Sequence, residues 1–139
     1  MRALAAVAAV ILCAATAGAE SPEVNYLLQC QGCHLPDGAG TPGKVPALYD
    51  QVARFLSVPG GREYLVRVPG SAQSPLDDAE LAELLNWIVQ RFGPAADAAG
   101  SPRFSADEVG RLRNPPLTYV AATRQRLVDR MTVAGDDDR

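Results

Sequence analysis

The chain holds one histidine (His34), one lysine (Lys44) and one tryptophan (Trp87), with three cysteines and two methionines among 139 residues. Each scarcity excludes something. With one histidine and no second Cys/His pair, a structural zinc site falls short of its four ligands. Acids outnumber bases, the net charge is −3 and the pI is about 5.1. No basic patch is available to follow a phosphate backbone, so nucleic acid is not a partner. There is no internal repeat and no convincing strand pairing. What is present is 47% hydrophobic residues, enough for one ordinary domain. Twelve glycines and eleven prolines predict a loop-rich fold that leans on something besides regular secondary structure.

Residues 1–19 differ in kind from the rest. Met1-Arg2 supplies a positive start, Ala3 to Ala15 is almost all apolar, and Ala17-Gly18-Ala19 offers small residues before the polar Glu20-Ser21-Pro22. This is the pattern of a cleaved secretory signal peptide. The competing reading is an uncleaved membrane anchor, because the apolar run is nearly long enough to span. Cleavage after Ala19 removes Cys13 and leaves two cysteines, Cys30 and Cys33.

Ser21-Pro22-Glu23 reads as a helix start, with a Ser cap, Pro in the first turn and an acid. Leu35 to Pro46 is loop. Leu48 to Val58 has near-helical spacing and is broken by Pro59-Gly60-Gly61; Glu63 to Val68 is a short apolar piece. The clearest element follows Asp77-Asp78, with Leu81, Leu84, Leu85, Ile88 and Phe92 on one helical face and Trp87 alongside. Gly93-Pro94 stops it. Residues 94–102 read as a linker, Ser105-Ala-Asp-Glu108 as a capping box, and Leu117 to Met131 as a last helix, with Gly135 to Arg139 disordered.

The single histidine stands directly behind a cysteine pair, in Cys30-Gln-Gly-Cys33-His34. Cys-x-x-Cys-His is the attachment pattern of c-type haem. Two thiols at this spacing can form thioethers to the two vinyl groups of one porphyrin, and the next residue supplies an imidazole to the iron. A plain disulfide, a thioredoxin-like redox pair or half a zinc site are the alternatives. The redox pair needs a βαβ context that this chain lacks.

In residues 21 to about 93 the sequence resembles the class I c-type cytochromes: an N-terminal helix, CQGCH, a Gly/Pro-rich loop, and a closing helix beginning DDAELAELLNWIV. The resemblance implies a mostly α, cytochrome c-like fold around one covalent haem c, in residues 20–93, with a helical or irregular extension over 94–139. It implies that the first and last helices cross, with Trp87 near Tyr26. Gly43-Lys-Val-Pro46-Ala-Leu48 resembles the family's piece after the haem motif. By that resemblance the Pro46 carbonyl accepts from His34 Nδ1–H and Leu48 packs on the haem. One of Arg54, Arg62 and Arg67 would pair with a haem propionate.

The family's second iron ligand is usually a methionine before the last helix. This chain departs from that, reading Arg67-Val68-Pro69-Gly70 at that place. Four fillings are open: Met131 folding back from the extension, Lys44 after desolvation and proton loss, an Asn, Tyr or Ser oxygen, or five-coordinate iron facing water or an exogenous ligand. The open or weakly bound site ranks first and Met131 second.

The implied function is that of an exported, periplasmic carrier of single electrons rather than an enzyme. Its donor would be a periplasmic dehydrogenase and its acceptor an oxidase or another cytochrome. The alternatives are a haem protein that binds a small ligand and a cytochrome subunit held in a dehydrogenase complex through residues 94–139. An acidic surface favours partners with a basic docking patch.

Overall fold

In the computed structural model, which describes residues 19–137, the first helix begins where Ser21 caps it. The Ser21 hydroxyl accepts from Val24 N–H at 3.3 Å and Pro22 opens α1 (Pro22–Gln29). Cys30 ends α1 and starts the single turn α2 (Gln31–His34). The signal-like segment, apart from Ala19, and Cys13 with it, lie outside the described residues.

Residues 35–46 form a loop whose only pairing is one antiparallel bridge, Thr41 with Val45. The helix expected from Leu48 is shorter and tighter, a 3₁₀ segment over Ala53–Ser57. The reason is local. Leu48 N–H donates to Gly38 O at 2.7 Å, and Asp50 N–H donates to Phe92 O at 2.8 Å. Asp50 also sits at φ +56°, outside helical geometry. These residues stitch the loop to the end of the long helix, so that only turns form before Ala53.

The apolar piece after Gly60 is a true helix, α3 (Gly61–Arg67), followed at once by α4 (Pro69–Ala72). Gly61 is needed here, because a Cβ would stand 1.7 Å from the Phe55 carbonyl oxygen. The main element, α5 (Asp78–Phe92), carries a full capping box: Asp77 accepts from Glu80 N–H, and Glu80 accepts from Asp77 N–H. Leu81, Leu84, Leu85, Ile88 and Phe92 are all buried, as their spacing predicts. Each such side chain contributes about 1.5–3 kcal/mol by leaving water. α1 packs on α5, where Tyr26, Trp87 and Phe92 form one aromatic cluster. The Tyr26–Trp87 centroid distance is 5.3 Å.

The stretch read as a linker contains a further turn of helix, α6 (Ala95–Ala99), favoured by its alanines. α7 (Ala106–Leu112) is capped by Ser105, but only half of the expected capping box forms. Glu108 turns away to Arg62, accepting twice at 2.7 Å. These bonds hold its carboxyl below the usual carboxylate range. The last helix, α8 (Val120–Asp137), starts later and runs further than the sequence suggests. Phe104, Val109, Leu127 and Met131 of the extension enter the same core as α3 and α5. The structure is mostly helical, with no strand among the described residues.

Arg113 ties the extension to the connector between α4 and α5. Its guanidinium donates to the carbonyls of Ala72, Ser74 and Leu76 and to the Asp78 carboxylate. Asn86, on α5, is buried and bonds both backbone groups of Phe104. Nothing in the local pattern around Asn86 marks it for this role.

Candidate functional site

The CQGCH stretch leaves α1 through one tight turn. Cys30 N–H donates to Tyr26 O, and His34 N–H donates to Cys30 O, each at 2.9 Å. Spaced three apart on this turn, the two thiols share a face. Both cysteines are free thiols; Cys30 is half-buried and Cys33 exposed. Burial, and then the charge of Cys33, push the Cys30 thiol up to about 11. A redox-active pair needs a thiol displaced the other way.

Leu35, directly after the histidine, is held at φ +64°, a region that costs a non-glycine residue about 1–3 kcal/mol. The Tyr26 hydroxyl donates to the Leu35 carbonyl at 2.6 Å and braces the turn. Burial lifts the Tyr26 phenol to about 12, so it stays a donor. The bend turns the chain into the loop that returns beneath His34. Gly40 N–H donates to His34 O at 3.0 Å, and the Thr41–Val45 bridge reverses the chain.

The reversal brings the Pro46 carbonyl oxygen to 3.2 Å from His34 Nδ1. A carbonyl can only accept, so this contact places the proton on Nδ1 and leaves the Nε2 lone pair for a metal. Burial lowers the His34 pKa, and the bond to Pro46 opposes that shift. The net direction favours the neutral ring, which is the ligating form. Leu48 is half-buried against the core two residues on.

Several apolar side chains that flank this turn and its loop in the sequence are uncovered. Leu27, Leu28 and Leu35 are 55%, 61% and 40% exposed, and Tyr49 is 48% exposed. Two free thiols on one turn, an oriented neutral imidazole and adjacent uncovered apolar side chains fit a covalently tethered porphyrin. Among the described residues no group of three or more His, Cys, Asp and Glu side chains is placed to hold a metal ion of the zinc type.

Two curated relatives, both from Thermus thermophilus, are described as cytochrome c-552. One is 35% identical over 139 residues, covering 86% of this chain and 94% of that protein. The other is 38% identical over 119 residues, covering 71% of this chain and 91% of its own length. The chain belongs to the small c-type cytochromes. No protein-family model matches it. As a c-type cytochrome it carries covalent haem c, and its activity is that of an electron carrier.

The remaining candidates of this cytochrome stand elsewhere. Met131 lies in the hydrophobic core, 9% exposed, on a helix that packs against α3 and the 3₁₀ segment. Val68 is half-buried at the junction of α3 and α4. Arg62 is engaged by Glu108 and by the Pro102 and Arg103 carbonyls. Arg67 is engaged by Glu63 and the Pro115 carbonyl. Sequence reasoning missed the Tyr26 brace, because a phenol on a buried helix face looks like plain core.

Gly40 is the weak point of the His34 support. It sits at φ +66°, and a Cβ there would stand 2.4 Å from the Val45 oxygen and 2.7 Å from the Pro46 oxygen. Gly40→Ala therefore displaces the carbonyl that orients the imidazole. The expected result is a loss of about 2–4 kcal/mol of stability in denaturant titration, with an altered haem absorption spectrum. An unchanged midpoint and spectrum would show that the loop gives way without involving His34.

Proposed function

We propose that this cytochrome is exported and passes single electrons between two redox proteins, a periplasmic dehydrogenase as donor and an oxidase or second cytochrome as acceptor. The observation that carries the reading is the His34–Pro46 contact beside the two free thiols. Haem c supplies the reversible ferric–ferrous couple. The chain's part is to tether it through Cys30 and Cys33, ligate it through His34 and fix that ring through Pro46, with Leu48 packed against it. A rigid mount keeps the geometry similar in both oxidation states, which favours fast transfer. Export is supported by the signal-like residues 1–19. No helix among the described residues is long and apolar enough to cross a membrane. The acidic composition suits partners with basic docking patches, so reduction by such a partner slows as salt rises.

A second reading follows from Met131. Its thioether is used in core packing, and Val68 stands where the family's methionine would. We infer an iron open on its second side, able to take a small exogenous ligand. Absorption spectra of the purified haem protein, oxidised and reduced, with and without CO, decide between the readings. A low-spin spectrum indifferent to CO, with a one-electron redox titration, supports a pure carrier, and a Met–iron charge-transfer band within it requires Met131 to leave the core. A high-spin spectrum that shifts with CO puts ligand binding first.

A further inference from the structure

A cleft of about 280 Å³ lies between α3 and α8. Its walls include Tyr64, Glu63, Arg67, Thr123, Arg126 and Arg130. Three guanidiniums thus face one carboxylate, and that carboxylate is already paired with Arg67. Arg130 donates to the Pro59 carbonyl and Arg126 to the Thr123 hydroxyl, both at 3.1 Å. Neither has a carboxylate partner among the described residues. Arg126 and Arg130 are also four apart on one helix, where like charges repel. Two guanidiniums thus meet at one cleft with only polar, uncharged partners among the described residues.

The second observation is the phenol. Tyr64 is 7% exposed, stacks on Phe55 at 5.0 Å between centroids, and lines the cleft. Among the described residues its hydroxyl has no hydrogen-bond partner, yet it is not sealed from solvent. Burial pushes its pKa up against the opposing charge of Arg124, so it remains a donor. A buried tyrosine normally finds a partner for its hydroxyl.

We propose that this cleft is an oxyanion site, in which Arg126, Arg130 and the Tyr64 hydroxyl bind one carboxylate or phosphate group. The planar fork of arginine matches both chemistries, and bonds of this kind are about twice as strong as neutral ones. The group is that of a free anion, since no residue of the attachment turn or of the loop over 35–48 lines the cleft.

The test uses the haem-loaded protein, with Arg126→Gln, Arg126→Lys and Tyr64→Phe. The thermal midpoint is followed against inorganic phosphate, with ionic strength held constant by NaCl. The reduction potential is followed against pH in the same variants. A free-anion site raises the wild-type midpoint with phosphate, and Arg126→Gln weakens the apparent affinity by about tenfold or more while Arg126→Lys keeps part of it. Phosphate that moves wild type and Arg126→Gln alike, with a reduction potential whose pH dependence changes in Arg126→Gln, would place the haem's own carboxylate there instead and overturn the free-anion site. Arg126 is exposed and Tyr64→Phe preserves the buried ring, so each variant retains the fold. Variants indistinguishable from wild type in both measurements would overturn the proposal.

Discussion

Serine at both Cys30 and Cys33 is expected to abolish covalent haem attachment in a host that matures c-type haem. After denaturing electrophoresis the double variant shows no haem stain, and each single variant keeps one thioether and a weaker band. The two thiols stand on one turn, free and at least partly accessible, next to an imidazole whose orientation is already set. No other thiol of residues 20–139 can substitute. The apolar side chains Leu27, Leu28, Leu35 and Tyr49 then stay in water, so the double variant also loses stability and becomes prone to associate. Persistent covalent haem in the double variant would sink the site assignment. His34→Ala separates tethering from ligation: the stain is retained and the iron spectrum changes.

Asn86→Leu is expected to lower the thermal midpoint by about 10–20 °C. The Asn86 amide donates to Phe104 O at 3.0 Å and accepts from Phe104 N–H at 2.7 Å, with both residues buried. Leucine of similar size keeps the packing volume but strands two buried backbone groups. Each unsatisfied group costs about 1–3 kcal/mol, giving about 2–6 kcal/mol in total. In a chain of this size about 1 kcal/mol moves the midpoint by a few degrees. Phe104 is also covered by the Arg62 guanidinium, 4.1 Å from the ring centroid, and Arg62 in turn holds Glu108. Losing the Asn86 bonds therefore loosens the docking of residues 94–112 as a unit, and limited proteolysis is expected to cut first near 94–103. A midpoint within about 2 °C of wild type would show that the extension is held without the Asn86 bonds.

The extension is the part of the fold least legible in the sequence. Its helices could be read roughly from Ser105, the two prolines and the apolar spacing, but not where they dock. Docking is decided by long-range partners: Arg62 with Glu108, Arg113 with residues 72–78, Asn86 with Phe104. No local pattern announces such pairs, because each half alone resembles a solvated charge or a surface amide. The same cause spoiled the reading of 48–58 as a helix, where backbone bonds to Gly38 and Phe92 outcompete local propensity.

Sequence alone determined the chemistry at the attachment turn, because Cys30, Cys33 and His34 act through a spacing set within one turn of chain. It determined α1 and α5 as well, whose caps and periodicity are local. The tertiary structure carries out what the resemblance implied at His34, bringing the Pro46 carbonyl to Nδ1 through the Gly40 turn and the Thr41–Val45 bridge together. It alone decided that Met131 goes to the core and that Arg126, Arg130 and Tyr64 share one cleft. These are contacts between distant segments, and their energies come from burial and charge that exist only once the chain has closed on itself.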